Sequence, residues 1–197
     1  MPKQRTVNQQ KIVNAARQII IAKGMANLTV REIADELGIT DGALYRHFKG
    51  KKEIISLLID DIEETLLSAI DEAASKTKKS LEKLENIFWS HLSYAEKRKG
   101  VSFIVINNTL SMKDKSLQNK IYGVINKYLE RIKYILNEGI KNGDFQRDMN
   151  LEAASMTFFG IIQCMVTLWG LSGYKYSLGK ERMEGSFNFF KKGILAK

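Results

Sequence analysis

Residues 28–53 hold two short apolar stripes at helical spacing, separated by a glycine and each opened by a threonine. No other stretch of the 197-residue chain limits its folding so tightly. Thr29 is placed to cap a helix, and Glu32 three positions on completes a capping box in which each residue satisfies the other's orphan amide. Val30, Ile33, Ala34 and Leu37 then form one apolar stripe. Gly38 ends the helix by taking the left-handed conformation that sterics deny other residues. Ile39 is expected to plug the turn, and Thr40 to cap a second short helix whose inward residues are Leu44 and Phe48. Two short helices joined by a tight glycine turn form the unit that lays its second helix in the DNA major groove.

The outward residues of the second helix suit that use. Asp41, Gly42, Tyr45, Arg46 and His47 lie off the Leu44/Phe48 face. Gly42 is a poor helix former, costing about 1 kcal/mol relative to Ala. A close approach of backbone to a DNA strand would justify it, and Ala43 beside it is small enough for a thymine methyl. Tyr45 and His47 can hydrogen-bond phosphate oxygens, and Arg46 can reach a phosphate or a guanine edge. Lys49, Lys51 and Lys52 stand where a third helix begins, and cations there oppose the helix dipole. A bound phosphate reverses that penalty. A solvated lysine patch offset by Glu53 is the plain alternative for any one of them.

Thr29–Glu53 resembles the DNA-binding signature of the TetR/AcrR (tetracycline repressor) family of transcriptional regulators, with Gly38-Ile39-Thr40, Leu44-Tyr45, Phe48 and Lys51-Lys52-Glu53 at the family's spacing. The resemblance covers residues 6–60. It implies an all-helical homodimer with a three-helix N-terminal domain that binds palindromic operators in double-stranded DNA. It also implies a variable C-terminal domain that binds a small ligand and thereby releases the DNA. Carried over by position, the backbone contacts fall on Thr29, Thr40, Tyr45, His47 and Lys51, and the base-reading region on Asp41, Gly42, Ala43 and Arg46. Asp41 stands where a basic or polar residue is frequent, and Arg46 where an aromatic is frequent.

Charge distribution agrees with one DNA-facing end. The chain carries a net +9, which suits a polyanion. Residues 1–52 hold ten Lys/Arg against four Asp/Glu, whereas residues 53–74 hold seven acids and no base. Residues 75–197 are basic again, which fits either plain solubility or an anionic ligand such as an acyl thioester. The single proline, Pro2, forces no helix break, and strand-like alternation is absent, so the fold class is all-α. The single cysteine, Cys164, excludes an internal disulfide and fits a reducing cytoplasm; its apolar surroundings predict a buried thiol. The first residues are polar and show no secretory signal.

Thr6 with Gln9 predicts a helix to about Lys23, stopped by Gly24. Residues 1–52 form the expected DNA-binding domain, continuing into a linking helix over 51–74 with Ile54, Leu58, Ile62, Leu66 and Ile70 on one face. Its acids Asp60, Asp61, Glu63 and Glu64 have no histidine within helical reach, so a solvated face is expected and no metal. The polar stretch 75–80 is the expected boundary to a ligand-binding and dimerisation domain over 75–197. Helices are expected there over 81–97, 101–110, 116–141, 151–171 and 180–195, with a turn at Asn142-Gly143-Asp144 and a cap at Asn150.

Ala153–Leu171 is nearly uncharged and close to the ~20 residues that span a bilayer. Ser155, Thr157, Gln163 and Thr167, and its solitude in the chain, favour instead a helix buried on both sides. No membrane partner is expected. In the family that helix lines the ligand cavity with one face, and with the last helix it packs on the partner subunit with the other. Phe88, Trp89, Phe103, Tyr122, Phe158, Phe159 and Trp169 supply aromatic mass for a cavity, with His91, Asn107 and Gln163 as polar candidates. Core packing explains each aromatic singly; together they suggest a small apolar or aromatic effector.

An enzyme is the rival class. The chain has two histidines, no glycine-rich phosphate loop, no metal-ligand spacing and no nucleophile with its base. No catalytic residue and no cofactor are expected. An architectural DNA-binder with the same head but no ligand control is the alternative, and it would bind with little sequence preference and a steep salt dependence.

Overall fold

The computed structural model describes residues 7–46 and 48–196. The expected cap at Thr6 and the candidate His47 lie outside them. Every extended regular element among the described residues is helical, and the chain is all-α. A single antiparallel bridge, Phe145 with Leu195, is the one β-type pairing among them.

Two compact units emerge, one of residues up to Glu64 with Val101–Tyr122, the other of Thr65–Gly100 with Gly123–Lys197. The first contains α1 (Val7–Lys23), a 3-10 turn (Met25–Asn27), α2 (Val30–Leu37), α3 (Asp41–Tyr45) and the first half of α4 (Lys51–Ser75). Its core joins Val13, Ala16 and Ile20 of α1 to Ile33 of α2, Leu44 of α3 and Ile54 and Leu58 of α4, all buried. After α5 (Ser80–Lys97), α6 (Val101–Ser111) and the first turns of α7 (Lys115–Asn142) also belong to this unit. Asp114 caps α7 by accepting from the Ser116 and Leu117 amides. It also pairs with Lys52 at 2.7 Å, and that ammonium holds its carboxyl below the usual carboxylate range. Lys120 donates to the Ser56 carbonyl and hydroxyl and to Asp60 on α4.

One expectation about α4 is corrected here. Asp61 is not on a solvated face: it is buried, with the Arg17 guanidinium of α1 3.0 Å from its Oδ2. A buried carboxylate is tolerated when a fixed cation and hydrogen bonds replace its water.

The second unit packs the end of α4 with α5, the remainder of α7, α8 (Leu151–Leu171) and α9 (Lys180–Ile194). Phe88 of α5 is its aromatic hub, meeting Phe158 of α8 and Phe187 of α9 at ring distances of 5.9 and 5.2 Å. Asn150 caps α8 through the Ala153 amide. The polar stretch 75–80 is the turn between α4 and α5, within this unit. Gly139 of α7 is dictated by packing, because a Cβ there would overlap the buried Phe145 ring.

α8 is long and apolar enough to cross a membrane by length and composition, and a third of its most apolar window is buried. Phe158, Ile162, Val166 and Trp169 form the covered face. Cys164 lies on the other face and is exposed, contrary to the buried thiol expected. An all-round apolar helix says nothing about which of its faces its own chain covers.

Candidate functional site

The candidate nucleic-acid interface is built by local backbone chemistry. Thr29 Oγ1 accepts from the Glu32 amide at 3.1 Å, and Gly38 takes φ 65°, ψ 32°. The Gly38 amide then bonds Asp35 O and the Ile39 amide bonds Ala34 O, a two-bond closure that satisfies the last carbonyls of α2. The capping box is one-sided, because the Glu32 carboxylate pairs with Lys23 rather than returning to the Thr29 amide. Ile39 does not plug the turn either. It is 43% exposed and sits over a shallow hollow with Lys11, Ile12 and Arg46.

Thr40 Oγ1 caps α3 through the Ala43 amide at 3.3 Å. Leu44 and Phe48 are buried and anchor α3, which turns Asp41, Gly42, Tyr45 and Arg46 outward, with Ala43 half-buried. Asp41 stands in the first turn, where a carboxylate complements the dipole whatever it does toward a base. A Cβ at Gly42 would meet no protein atom, so nothing in the fold requires a glycine there. Lys51 is half-buried, and its ammonium donates to Met25 O at 2.9 Å and Ala26 O at 3.4 Å, holding the 3-10 turn. Glu53 reaches back to the Lys49 amide, capping α4.

The ten effector candidates fall in both units. Phe103, Asn107 and Tyr122 belong to the first unit, where Asn107 and Tyr122 are exposed. In the second unit, His91, Tyr128 and Phe159 form a set of mutually tilted rings at distances of 5.2 to 6.3 Å. His91 Nδ1 lies 3.1 Å from the Tyr128 hydroxyl, and burial pushes the imidazole down to about 3, so it is neutral. The same burial raises the Tyr128 phenol. Gln163 Oε1 is buried without a hydrogen-bond partner. Phe88 and Trp89 pack edge to face, as do Trp169 and Tyr174, and Trp169 donates to Tyr176 O.

None of the ten lines one cleft of the second unit, while Trp89 lines another. The first cleft, of about 680 Å³, lies among α4, α5 and α7. Ile70, Ala74, Ile87 and Ile135 line it together with the cations Lys83, Lys127 and Arg131 and the acids Asp71, Glu130 and Glu138. Ile70 lies on the apolar stripe expected for α4, but no local spacing signals a cleft whose walls come from three separated helices.

Comparison with known proteins matches both the N-terminal and the C-terminal part of the chain. The model of the family described as bacterial regulatory proteins, tetR family, matches residues 12–58. The one described as YsiA-like protein, C-terminal region, matches residues 59–188. The chain is 28% identical over 176 residues to the fatty acid metabolism regulator protein of Bacillus subtilis (strain 168), covering 89% of this chain and 90% of that one. It is 26% identical over 171 residues to the nucleoid occlusion factor SlmA of Vibrio cholerae serotype O1, covering 85% and 86%. Its fold matches that of the transcriptional regulator FadR from Bacillus subtilis in complex with stearoyl-CoA, with a TM-score of 0.79, 26% identity and coverage of 94% and 98%. The chain belongs to the tetR family of bacterial regulatory proteins and is a ligand-responsive, DNA-binding transcriptional regulator.

Proposed function

We propose that the protein is a repressor that binds a palindromic operator as a homodimer and leaves it when a long-chain acyl-CoA or related amphiphile occupies the second unit. The observation that carries this reading is the α3 face. Leu44 and Phe48 anchor a Thr40-capped helix whose Asp41, Gly42, Tyr45 and Arg46 are free to face DNA. The amphiphile is suggested by the stearoyl-CoA bound to a relative of similar fold. Dimerisation is assigned to the outward faces of α8 and α9, where Met156, Leu168, Leu171 and Phe189 are exposed. An exposed apolar patch of that kind on a soluble chain marks a partner surface.

Affinity capture of genomic fragments on the purified protein, followed by sequencing, tests the reading. A few sharp sites sharing an inverted repeat, and their release by lauroyl-CoA, are expected. Diffuse binding with no shared site would overturn it in favour of an architectural role, of the kind suggested by the likeness to a nucleoid occlusion factor.

A further inference from the structure

The cleft among α4, α5 and α7 joins three properties that rarely meet by accident. Its volume of about 680 Å³ lies within the roughly 300–1,000 Å³ usual for small-molecule sites. Ile70, Ala74, Ile87 and Ile135 give part of its lining an apolar character. A guanidinium of the lining has a geometry suited to recognising an anion. Arg131 Nε donates to Asp71 Oδ1 at 2.7 Å and Nη2 to Oδ2 at 3.0 Å, a two-pronged pair, while Nη1 donates to the Lys127 carbonyl. That third bond fixes the fork, so it presents two parallel donors to whichever acid faces it.

The pair with Asp71 is also easy to exchange. The Asp71 side chain is 54% exposed and that of Arg131 35%, and exposed ion pairs add little stability because water screens them. A ligand anion that arrives on an apolar body brings the burial of that body with it, which the Asp71 carboxylate cannot match. Lys83, whose ammonium lies 2.8 Å from Glu138, is a second cation of the lining.

We propose that this cleft, rather than the aromatic set around His91, receives the head of an anionic amphiphile, and that Arg131 exchanges Asp71 for the ligand's carboxylate or phosphate. The class of ligand is an apolar chain ending in, or linked to, an anion. The exchange unties α7 from α4 at Asp71, and α4 runs on without a break to Lys51. Arg131 is therefore both a ligand contact and the tie whose opening loosens α7 from α4 in the second unit, Lys120 still holding Ser56 and Asp60 in the first. This inference rests on the effector reading above and adds to it a place, a charge and a residue.

Calorimetric titration of the full-length protein with laurate, lauroyl-CoA, coenzyme A alone and 1-dodecanol tests it, using Arg131→Gln, Asp71→Asn and the exposed Lys141→Gln. Arg131→Gln should weaken the anionic amphiphile by about tenfold or more. Asp71→Asn, by removing the competitor, should tighten it by about two- to fivefold, a gain that misfolding cannot imitate. Lys141→Gln and the wild type should agree, and the alcohol and coenzyme A alone should bind more weakly than either amphiphile. Laurate binding with this pattern identifies a carboxylate head, and binding of lauroyl-CoA alone identifies the phosphates; both support the site. If lauroyl-CoA releases operator DNA equally from the wild type and Arg131→Gln, the effector reading stands and this site falls. If no amphiphile binds the wild type, both fall.

Discussion

At the scale of single residues, Arg46 and His91 carry opposite kinds of expectation. Arg46 is exposed at the end of α3, where no ion pair holds it within the described residues. Arg46→Ala should cost the operator about 1–3 kcal/mol while affecting random DNA less, measured by fluorescence anisotropy at two salt concentrations. Equal losses on both would assign Arg46 to phosphate. His91 is sealed beside Tyr128. Between pH 7 and pH 5 the unfolded chain takes up a proton there that the folded core refuses, because burial holds the folded imidazole at about 3. Stability should therefore fall by about 2 kcal/mol over that interval. Thermal or urea unfolding of the wild type against His91→Gln should show that acid slope only in the wild type. Some residue roles were legible in the sequence and others were not, for a physical reason. Thr29, Gly38 and Thr40 act on amides two or three positions away, so local spacing announces them. Asp61 is answered by Arg17, 44 positions distant, and Lys51 by carbonyls 25 and 26 positions back, and no local pattern encodes such partners.

At the scale of elements, the helices follow their apolar periods closely, and caps fix their starts at Val30, Asp41 and Leu151. Two glycines inside α7 separate packing from its absence. A methyl at Gly139 would collide with the Phe145 ring, so Gly139→Ala should destabilise by about 1–3 kcal/mol. A methyl at Gly123 meets nothing, and Gly123→Ala should stabilise by about 1 kcal/mol through helix propensity alone. Chemical denaturation of the two variants checks both signs at once, and a destabilised Gly123→Ala would show that this position needs its glycine for another reason. The cleft at Arg131 was invisible at this scale of sequence reading. Its basic residues sit in a C-terminal region that is basic throughout, so composition hides which cations share a wall with Ile87 and Ile135.

At the scale of the whole molecule, the unburied apolar faces of α8 and α9 depart from what a lone chain should display. Phe189 and Leu171 are each 80% exposed. Phe189→Asp should shift the protein from dimer to monomer in sedimentation velocity and abolish tight operator binding, since one head alone reaches only one half-site. A dimer that survives the change would move the interface elsewhere. The exposure of Cys164 on the same helix follows from the same cause, since an interface residue stays exposed until a second copy covers it.

The grouping of α6 and the start of α7 with the N-terminal helices has a consequence for engineering. A DNA-reading module is commonly imagined as a cassette that ends where its last helix ends, here at Ser75. Cut there, the fragment would lose Lys120 from Ser56 and Asp60, and Asp114 from Lys52. A chimera that borrows this reading head must therefore import residues 101–122 as well. The cassette is discontinuous, and swapping heads between regulators of this build is a two-segment graft.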